Sequence, residues 1–347
     1  MLKLLPRYLL ILLLLPLASC SQPEPQLFNY RFFTFGTDIT VSIYGNDKKQ
    51  ADTGFANTKD LLQKLNKQLH PWTPGELHSF NIACSKSQQH TISALLKTMI
   101  LEGQRFYSLS DGLFDPAVGS LVKLWKFDNA ANIHTSIPQS FEIENIQNTR
   151  PSISQVQISD NTALCSNNLV RLDFGGFAKG YATEEAIKIL LALGIDNAII
   201  NAGGDLTAIG SKGDNPWVIG IRNPFNAGAI ASIQTYTKTN IFTSGNYERF
   251  FEKDGKVYHH IIDPQTGYPT TEIASVTVIH DNAMQADAAA TAIMVSGIGR
   301  WKDISSKMGI TKLMIVSSDK KILITPQMNA LVTILDNNLT KVIEDTQ

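Results

Sequence analysis

Cysteine is scarce in this chain, and the few cysteines present match no metal-binding or redox motif. Only three occur among 347 residues, at positions 20, 84 and 165. Their spacing excludes the CxxC arrangements of thiol oxidoreductases, and no Cys/His cluster indicates zinc. In an oxidising compartment Cys84 and Cys165 could form a disulfide, or each could be a free buried thiol. The sequence leaves both possibilities open.

An excess of charge of either sign is also missing. The chain has 30 Lys and Arg residues against 31 Asp and Glu residues, for a formal net charge of -1. No nucleic-acid partner is therefore expected, because such binding usually needs a basic stripe. With 43% hydrophobic and 18% charged residues, the composition is that of a globular protein with a sizeable core.

No apolar run is long enough to span a bilayer comfortably, although the chain begins with a short one. Lys3 and Arg7 precede the apolar residues 9–15, and the small residues of LASC (17–20) follow. This order predicts a secretory signal peptide over residues 1–19.

The LASC segment is similar to a bacterial lipobox, which implies that Cys20 is lipidated as the first residue of the mature chain. We then expect a tether over residues 20–29 and one folded domain over residues 30–347. The alternative is an ordinary signal peptide that contains a cysteine.

Familiar nucleophile and nucleotide-binding motifs are absent. There is no GxSxG, and neither remaining cysteine lies in a setting typical of catalysis. LDFGGFAKGY (172–181) lacks the Ser or Thr of GxxxxGK[ST] and does not match GxGxxG. We expect a strand ending at Asp173–Phe174, a glycine turn and a helix from about Tyr181. The backbone N–H groups of this glycine turn and the side chain of Lys179 could face an anion. Alternatively, the segment is a tight turn with a solvated lysine.

Hydrophobic periodicity mixes strands and helices without strict βαβ alternation or an internal repeat, which favours an α+β fold with a mixed sheet. The expected helices lie at 51–69, 92–110, 181–194 and 285–297, and the expected strands at 31–45 with a turn at Gly36, 169–174, 197–204, 217–222, 230–243 and a final hairpin within 312–325. Prolines and a glycine predict a loop over residues 70–81. Residues 128–155 are polar and weakly periodic, as expected of an excursion from the core.

Two side chains of the last expected helix indicate a metal site. Asp287 and Thr291 are four residues apart, which puts them on one helix face, roughly 5–6 Å apart. A carboxylate and a hydroxyl suit Mg²⁺, which favours oxygen ligands and keeps waters or substrate phosphates. The alternative is an acid near a helix start and a threonine bonded within its own helix.

Two other turns carry polar residues. His259 and His260 precede the turn DPQTG (263–267), and since facing alternates along a strand, one should point inward and the other to solvent. The inward histidine could be a core residue or a catalytic group. Asp205, in NAGGDLTAIG (201–210), is interpreted as a turn acid, although two glycine turns suggest a close approach of backbone to a ligand.

Together these segments resemble the FAD:protein FMN transferase family, also called ApbE. Seven motifs occur in the family order and span most of residues 30–300: FGT (35–37), FDPAVGSLVKLW (114–125), LDFGGFAKGY (172–181), NAGGDL (201–206), TSGNYERFF (243–251), HIIDPQTGYP (260–269) and AMQADAAATA (283–292). The resemblance implies Mg²⁺-dependent cleavage of FAD between its phosphates, transfer of FMN to a Thr or Ser of a partner protein, and release of AMP. The missing nucleophile fits, since the attacking hydroxyl would come from the partner.

The resemblance also implies roles for individual residues. Asp287, Thr291 and the carbonyl of Gly176 would hold the metal, and His260 would act with Asp287 in catalysis, as proton acceptor or phosphate partner. The implied FAD-binding residues are Phe35, Trp72, Phe114, Asp115, Asp173, Lys179 and Ile262, with Lys179 on the phosphates. The chain departs from the family at Phe35, where Met is common, and at Asn246, where many members have Asp.

The implied partners are acceptor subunits of membrane redox complexes, of the sodium-pumping quinone reductase or Rnf type. The protein would lie at the periplasmic face of the envelope, anchored by lipid to the inner or outer membrane. Two other hypotheses remain: hydrolysis of FAD to FMN and AMP without an acceptor, and a non-enzymatic flavin-binding lipoprotein. The second is kept open by Asn246, because the family's acidic charge is missing there.

Overall fold

The structure is a computed structural model that describes residues 24–128, 135–336 and 338–346. The expected signal peptide and the expected lipidation site, Cys20, lie outside the described residues. The first strand begins at Gln26, inside the segment expected to be a tether, so the folded domain starts before residue 30. Within the described ranges, no helix is long and apolar enough to cross a membrane.

The chain forms strands and helices in a mixed order. The strands are β1 Gln26–Thr34, β2 Thr37–Gly45, β3 His90–Thr91, β4 Val156–Ser159, β5 Thr162–Cys165, β6 Ala198–Ala202, β7 Asp205–Ile209, β8 Trp217–Arg222, β9 Ala229–Thr235, β10 Thr239–Gly245, β11 Phe250–Lys253, β12 Lys256–His259, β13 Ile273–Ile279, β14 Lys312–Ser317, β15 Lys321–Ile324, β16 Val332–Ile334 and β17 Thr340–Ile343. The helices are α1 Lys48–Leu69, α2 Glu76–Ser85, α3 Ala94–Leu109, α4 Gly119–Leu124, α5 Ser140–Thr149, α6 Ala178–Ala192, α7 Ala283–Lys307 and α8 Pro326–Asn329. A single 3₁₀ turn spans Ile153–Gln155.

A nine-stranded sheet organises the fold, in the order β1-β2-β6-β7-β10-β13-β14-β15-β17. Neighbouring strands are antiparallel except for the parallel pair β15 and β17. This confirms the α+β prediction with a mixed sheet. Short connections explain three of the antiparallel pairs, β1–β2, β6–β7 and β14–β15, because a turn of two or three residues can join only strands that run in opposite directions.

Apolar side chains cover both faces of the sheet. On one face, α1 and α6 pack against β2 and β6, and α7 packs against β10 and β13. On the other face, a small sheet in the order β16-β9-β8 buries Trp217, Ile219 and Ile233 against Leu206 and Ile241. The result is a three-layer arrangement in which inner strands such as β10 and β14 contribute residues to two cores.

Several elements match the predictions, and others are longer or begin elsewhere. The hairpin at Gly36, helices α1 and α3, strand β8 and the final β14–β15 hairpin are confirmed. The expected loop 70–81 is wrong in its second half, because α2 begins at Glu76, whose carboxylate accepts a hydrogen bond from the N–H of Ser93 at 2.6 Å. The expected strand 230–243 is two strands, β9 and β10.

The segment 169–174 is not the expected strand. A buried side chain, Asn81, takes the place of a neighbouring strand: its amide accepts from the N–H of Leu172 at 2.8 Å and donates to the C=O of Leu172 at 2.9 Å. Only Arg171 forms a bridge, with Val118. Sequence periodicity cannot reveal this, because the partner lies 91 residues earlier in the chain.

Two helices also differ from prediction at their ends. Helix α6 begins at Ala178 rather than at Tyr181, so Lys179 lies in its first turn. Helix α7 runs past the expected end to Lys307, with a kink at Gly297, whose φ is 65°. The N–H of Ile298, just beyond the kink, donates to the carboxylate of Glu272 at 2.8 Å.

Cys84 and Cys165 form a disulfide that joins α2 to β5. This resolves the alternatives that the sequence left open.

The part of the expected excursion 128–155 that the structure describes is partly helical, since it includes α5 and the 3₁₀ turn. Residues 129–134 lie outside the described part.

Candidate active site

One end of the large sheet carries a cleft of about 600 Å³. The turn between β1 and β2, the turn between β6 and β7 and the end of β10 meet there. The cleft brings together ten of the predicted site residues, from separate parts of the chain: Phe35, Phe114, Asp115, Asp173, Gly176, Lys179, His260, Ile262, Asp287 and Thr291.

Trp72 is the predicted flavin-site residue that does not line this cleft among the described residues. Its half-buried ring lies 5.5 Å from the guanidinium carbon of Arg171. Its loop is nevertheless close to the site, because Arg171 lies only two residues before the cleft residue Asp173. A role for Trp72 in flavin binding stays a prediction.

The LDFGGFAKGY segment forms a compact turn that leads into α6. The N–H of Asp173 donates to the C=O of Pro116 at 2.8 Å, and Asp173 Oδ1 accepts from the N–H of Gly175 at 2.9 Å. The N–H of Gly180 donates to Asp287 Oδ2 at 2.9 Å. Two of the glycine N–H groups that were expected to face an anion therefore bind carboxylates of the protein itself.

Helix α6 meets the start of α7 at very short range. A Cβ placed on Gly180 would lie 2.4 Å from the backbone oxygen of Ala283. Because only a glycine permits this approach, the first turn of α6 can reach the carboxylate of Asp287. The contact positions Lys179 and Asp287 on adjoining helices.

Lys179 shares its charge between two buried carboxylates. It forms an ion pair with Asp205, whose side chain is 2% exposed, and Asp205 Oδ1 also accepts from the N–H of Thr243 at 2.8 Å. Burial works against the charge of Lys179, but the carboxylates of Asp205 and Asp287 outweigh it and raise the pKa of Lys179. Burial, followed by repulsion from Asp205, raises the pKa of Asp287 to about 8. Lys179 therefore lies between two carboxyl groups, and it pairs directly with that of Asp205.

The pocket's oxygen atoms fit a magnesium ion. Thr291 Oγ1 lies 3.0 Å from Ser244 Oγ and 3.6 Å from the position of a Cβ added to Gly176, so Gly176 lies beside the Asp287–Thr291 face. Within the described ranges no group of three or more His, Cys, Asp or Glu side chains forms a metal site. A carboxylate, a hydroxyl and a backbone carbonyl are hard ligands of the kind Mg²⁺ takes, with waters or phosphates completing its shell.

The two histidines point in different directions, as the alternation predicts: His259 points into the core, and His260 is partly exposed in the cleft. His259 is buried in the core, where Nε2 lies 2.7 Å from the C=O of Thr270 and Nδ1 accepts from the N–H of Ile261 at 3.3 Å. His260 lines the cleft, and its buried Nδ1 has no hydrogen-bond partner among the described residues. Burial and the nearby Arg249 hold the pKa of His260 well below its usual range, so the ring is neutral and carries one unprotonated nitrogen.

Apolar and structural groups complete the walls. Phe35, Phe114 and Ile262 supply apolar surface. Asp115 lines the cleft as well, but its Oδ1 accepts from the N–H groups of Ala117 and Ile153, at 2.8 and 3.0 Å. Burial raises the pKa of Asp115 to about 6 despite these bonds. The carboxylate of Asp115 thus also fixes the shape of the wall.

Sequence reasoning undervalued some residues of the cleft. Asp205 is no simple turn acid but the partner of Lys179, and its place directly after the glycine turn of NAGGDL was the available signal. Tyr247, Glu248 and Arg249 also line the cleft, whereas the neighbouring Asn246 does not, and its N–H donates to the C=O of Ala274 at 3.0 Å. The missing acid at Asn246 therefore removes no charge from the described cleft wall.

Comparison with known proteins agrees with this geometry. The sequence profile of the ApbE family matches residues 35–314. The chain belongs to the ApbE family. Among ApbE relatives, the FAD:protein FMN transferase of Rhodobacter capsulatus is 36% identical over 310 residues, which are 89% of this chain and 59% of that protein. The FAD:protein FMN transferase of Vibrio cholerae is 32% identical over 312 residues, 88% of this chain and 92% of that one.

Solved ApbE structures share the fold. The ApbE protein of Thermotoga maritima superposes with a TM-score of 0.80 at 31% identity, covering 88% of this chain and 99% of that one. The flavin transferase ApbE from Vibrio cholerae gives a TM-score of 0.75 at 26% identity, covering 89% and 100%. The α+β domain described above is therefore the ApbE fold.

Proposed function

We propose that this ApbE protein transfers FMN from FAD to a Thr or Ser hydroxyl of a partner protein and releases AMP. The observation that carries the proposal is the convergence of Lys179, Asp287, Thr291, Gly176 and His260 in one cleft. The relatives named as FAD:protein FMN transferases support the same activity.

The residues of the cleft divide the work of a phosphoryl transfer between them. Phe35, Phe114 and Ile262 form apolar walls suited to the flavin, and Lys179 lies where it can attract the phosphates. Asp287, Thr291 and the carbonyl of Gly176 would hold Mg²⁺, which neutralises phosphate charge when bound. With the residues in these roles, the bond between the two phosphates of FAD would lie beside the charged wall.

The proton of the acceptor hydroxyl goes to His260. The neutral imidazole accepts it as the hydroxyl oxygen bonds to the phosphorus of the FMN half. The bond from that phosphorus to the bridging oxygen breaks, and the electron pair leaves with AMP. Such a reaction needs positioning and charge neutralisation more than a protein nucleophile, and the partner supplies the nucleophile here.

The proposed location is the periplasmic face of the envelope, with Cys20 as the lipid anchor. The Cys84–Cys165 disulfide supports an oxidising compartment, where such bonds persist. The proposed acceptors are subunits of redox complexes of the sodium-pumping quinone reductase or Rnf type.

Replacement of Cys20 by Ala tests the proposed lipid anchor. This variant should be released from the membrane fraction, and unchanged membrane association would contradict the anchor.

Mass spectrometry of an acceptor domain tests the activity. A recombinant domain of the quinone reductase type, incubated with the protein, FAD and Mg²⁺, should gain the mass of one FMN on a Thr or Ser. The gain should disappear with a chelator. AMP release without a mass gain would indicate FAD hydrolysis instead, and FAD that stays intact would indicate a binding protein only.

Asp287→Asn tests the metal assignment. The change removes the proposed anionic ligand, so labelling should fall by at least about 100-fold while the fold is retained. Asp303→Asn is the matched control, because Asp303 lies on the same helix, is exposed and pairs with Lys307 at 2.9 Å. Normal labelling by Asp287→Asn would rule out its role as a metal ligand.

A further inference from the structure

Strand β1 is an open edge of the large sheet. Its only backbone hydrogen bonds in the part of the chain that the structure describes are with β2. A two-residue turn at Phe35 and Gly36, both with positive φ, joins the two strands, so Thr34 and Thr37 form the closing hydrogen-bonded pair. Hydrogen-bonded pairs then alternate with non-bonded pairs along the hairpin.

This alternation assigns the direction of each backbone group. The N–H and C=O groups of every second residue of β1 point away from β2, into the space beside the sheet. These residues are Leu27, Asn29, Arg31 and Phe33. Their side chains are all exposed, and Phe33 is 66% exposed.

The edge rests on a rigid support. The opposite side chains of β1 pack on α1, where the ring of Tyr30 stacks on Phe55 at 4.5 Å and Phe32 meets the same ring at 5.8 Å. On the exposed face, Asn29 Oδ1 accepts from Ser42 Oγ at 2.7 Å, and Arg31 pairs with Asp38 at 2.5 Å. A free edge held in this way is a template for one more strand.

The edge ends at the active-site cleft. Phe33, whose backbone groups point outward, lines the cleft together with Phe35. The sheet's other edge, β17, lies eight strand spacings away, which is about 38 Å at about 4.8 Å per spacing. Of the two edges, only β1 could align an added segment so that its end enters the cleft.

We infer that the acceptor protein docks by adding an extended segment as a strand to the β1 edge, with its Thr or Ser continuing past Phe33 into the cleft. The inference rests on the proposed transfer activity. An extended chain advances about 3.3 Å per residue, so a few residues beyond the paired segment reach the interior of the cleft. Backbone pairing supplies affinity without a fixed side-chain sequence, and the exposed ring of Phe33 offers a contact for one apolar acceptor residue.

Proline substitution tests the edge directly. Arg31→Pro and Asn29→Pro each remove an outward N–H, and proline is tolerated on an edge strand when its missing N–H faces solvent. Each should lower kcat/KM for transfer to the acceptor domain by about tenfold or more, while FAD affinity stays unchanged. Arg31→Ala keeps the N–H and should transfer at the wild-type rate. Wild-type transfer by both proline variants would overturn the inference.

Hydrogen exchange of the wild-type protein gives a second test that does not depend on the folding of a variant. On saturation with the acceptor domain, up to four amides of segment 26–34, those that point outward, should become protected. Protection that is already present without acceptor and rises with protein concentration would mean that a second copy covers the edge. Protection in the monomer that is lost on deletion of residues 20–25 would mean that the chain's own tether covers it. Either result, or no added protection during active transfer, contradicts the inference.

The two proposals fail in distinguishable ways. If the protein is not a transferase, the wild-type protein adds no FMN to the acceptor under any condition. If only the docking inference is wrong, the wild-type protein and both proline variants add FMN equally well.

Discussion

Asp287 on α7 accepts a hydrogen bond at 2.9 Å from the backbone N–H of Gly180 on α6. This single bond joins the helix that carries Thr291 to the helix that carries Lys179. It also fixes one oxygen of the only proposed anionic metal ligand. The position of the active site therefore depends on how closely two helices approach, and this dependence can be tested by adding one methyl group.

Gly180→Ala should disrupt the contact between α6 and α7. Its Cβ would lie 2.4 Å from the backbone oxygen of Ala283, which cannot move as a side chain could. We expect a loss of about 2–4 kcal/mol in the free energy of unfolding and a large loss of transfer activity. Gly299→Ala is the matched control on α7, because its Cβ meets nothing within 4 Å, and it should be neutral or stabilising by up to about 1 kcal/mol. Urea denaturation measures both, and equal stability of the two variants would contradict the argument.

Asp205→Asn should show that Asp205 holds Lys179 in place. The change leaves a largely buried ammonium without its closest partner and should cost about 3 kcal/mol of stability. The double variant Lys179→Met/Asp205→Asn should recover part of that stability, because no unpaired charge at Lys179 remains, and should still be inactive. A double-mutant cycle by denaturant unfolding measures the coupling, and strictly additive losses would contradict the pairing.

His259 should make the protein less stable in mild acid. Burial lowers the pKa of His259 to about 4, against an ordinary value of 6.5. Between these values the unfolded chain binds the proton and the folded chain does not, so stability is complete above pH 6.5 and falls toward pH 4, by up to about 3 kcal/mol. His259→Gln should reduce the slope of the stability profile over this window. Denaturant midpoints from pH 4 to 7 provide the measurement, and parallel profiles for His259→Gln and the wild type would exclude the effect.

The disulfide should contribute most of its stabilisation by restricting the unfolded chain. It closes a loop of 81 residues, for which chain entropy gives about 4.5 kcal/mol. A variant with Cys84 and Cys165 both replaced by Ala should lose stability toward that value, and a reductant should destabilise the wild type but not the variant. Because neither cysteine lines the cleft, the folded variant should bind FAD normally. A reductant effect on the double variant would show that the loss has another origin.

Local sequence patterns predicted the elements that depend on neighbouring residues. Helices α1 and α3 follow from their periodic apolar residues, and the hairpin at Gly36 follows from alternation around a turn. The same patterns failed at 169–174, where Asn81 satisfies the backbone of Leu172 from 91 residues away. They also failed at Tyr181, because the start of α6 is set by its contact with α7 rather than by its own residues.

The sequence by itself determined the family and the class of fold, since seven ordered motifs carry that information without coordinates, and it named ten of the residues that line the cleft. Only the tertiary structure decided which of these residues meet and what their charges become. It paired Asp205 with Lys179, raised the pKa of Asp287 to about 8, separated the roles of His259 and His260, and placed Trp72 outside the described cleft lining. The physical reason is that ion pairing depends on the distance between residues far apart in the chain, and desolvation depends on how deeply each residue is buried. No local sequence pattern specifies either quantity.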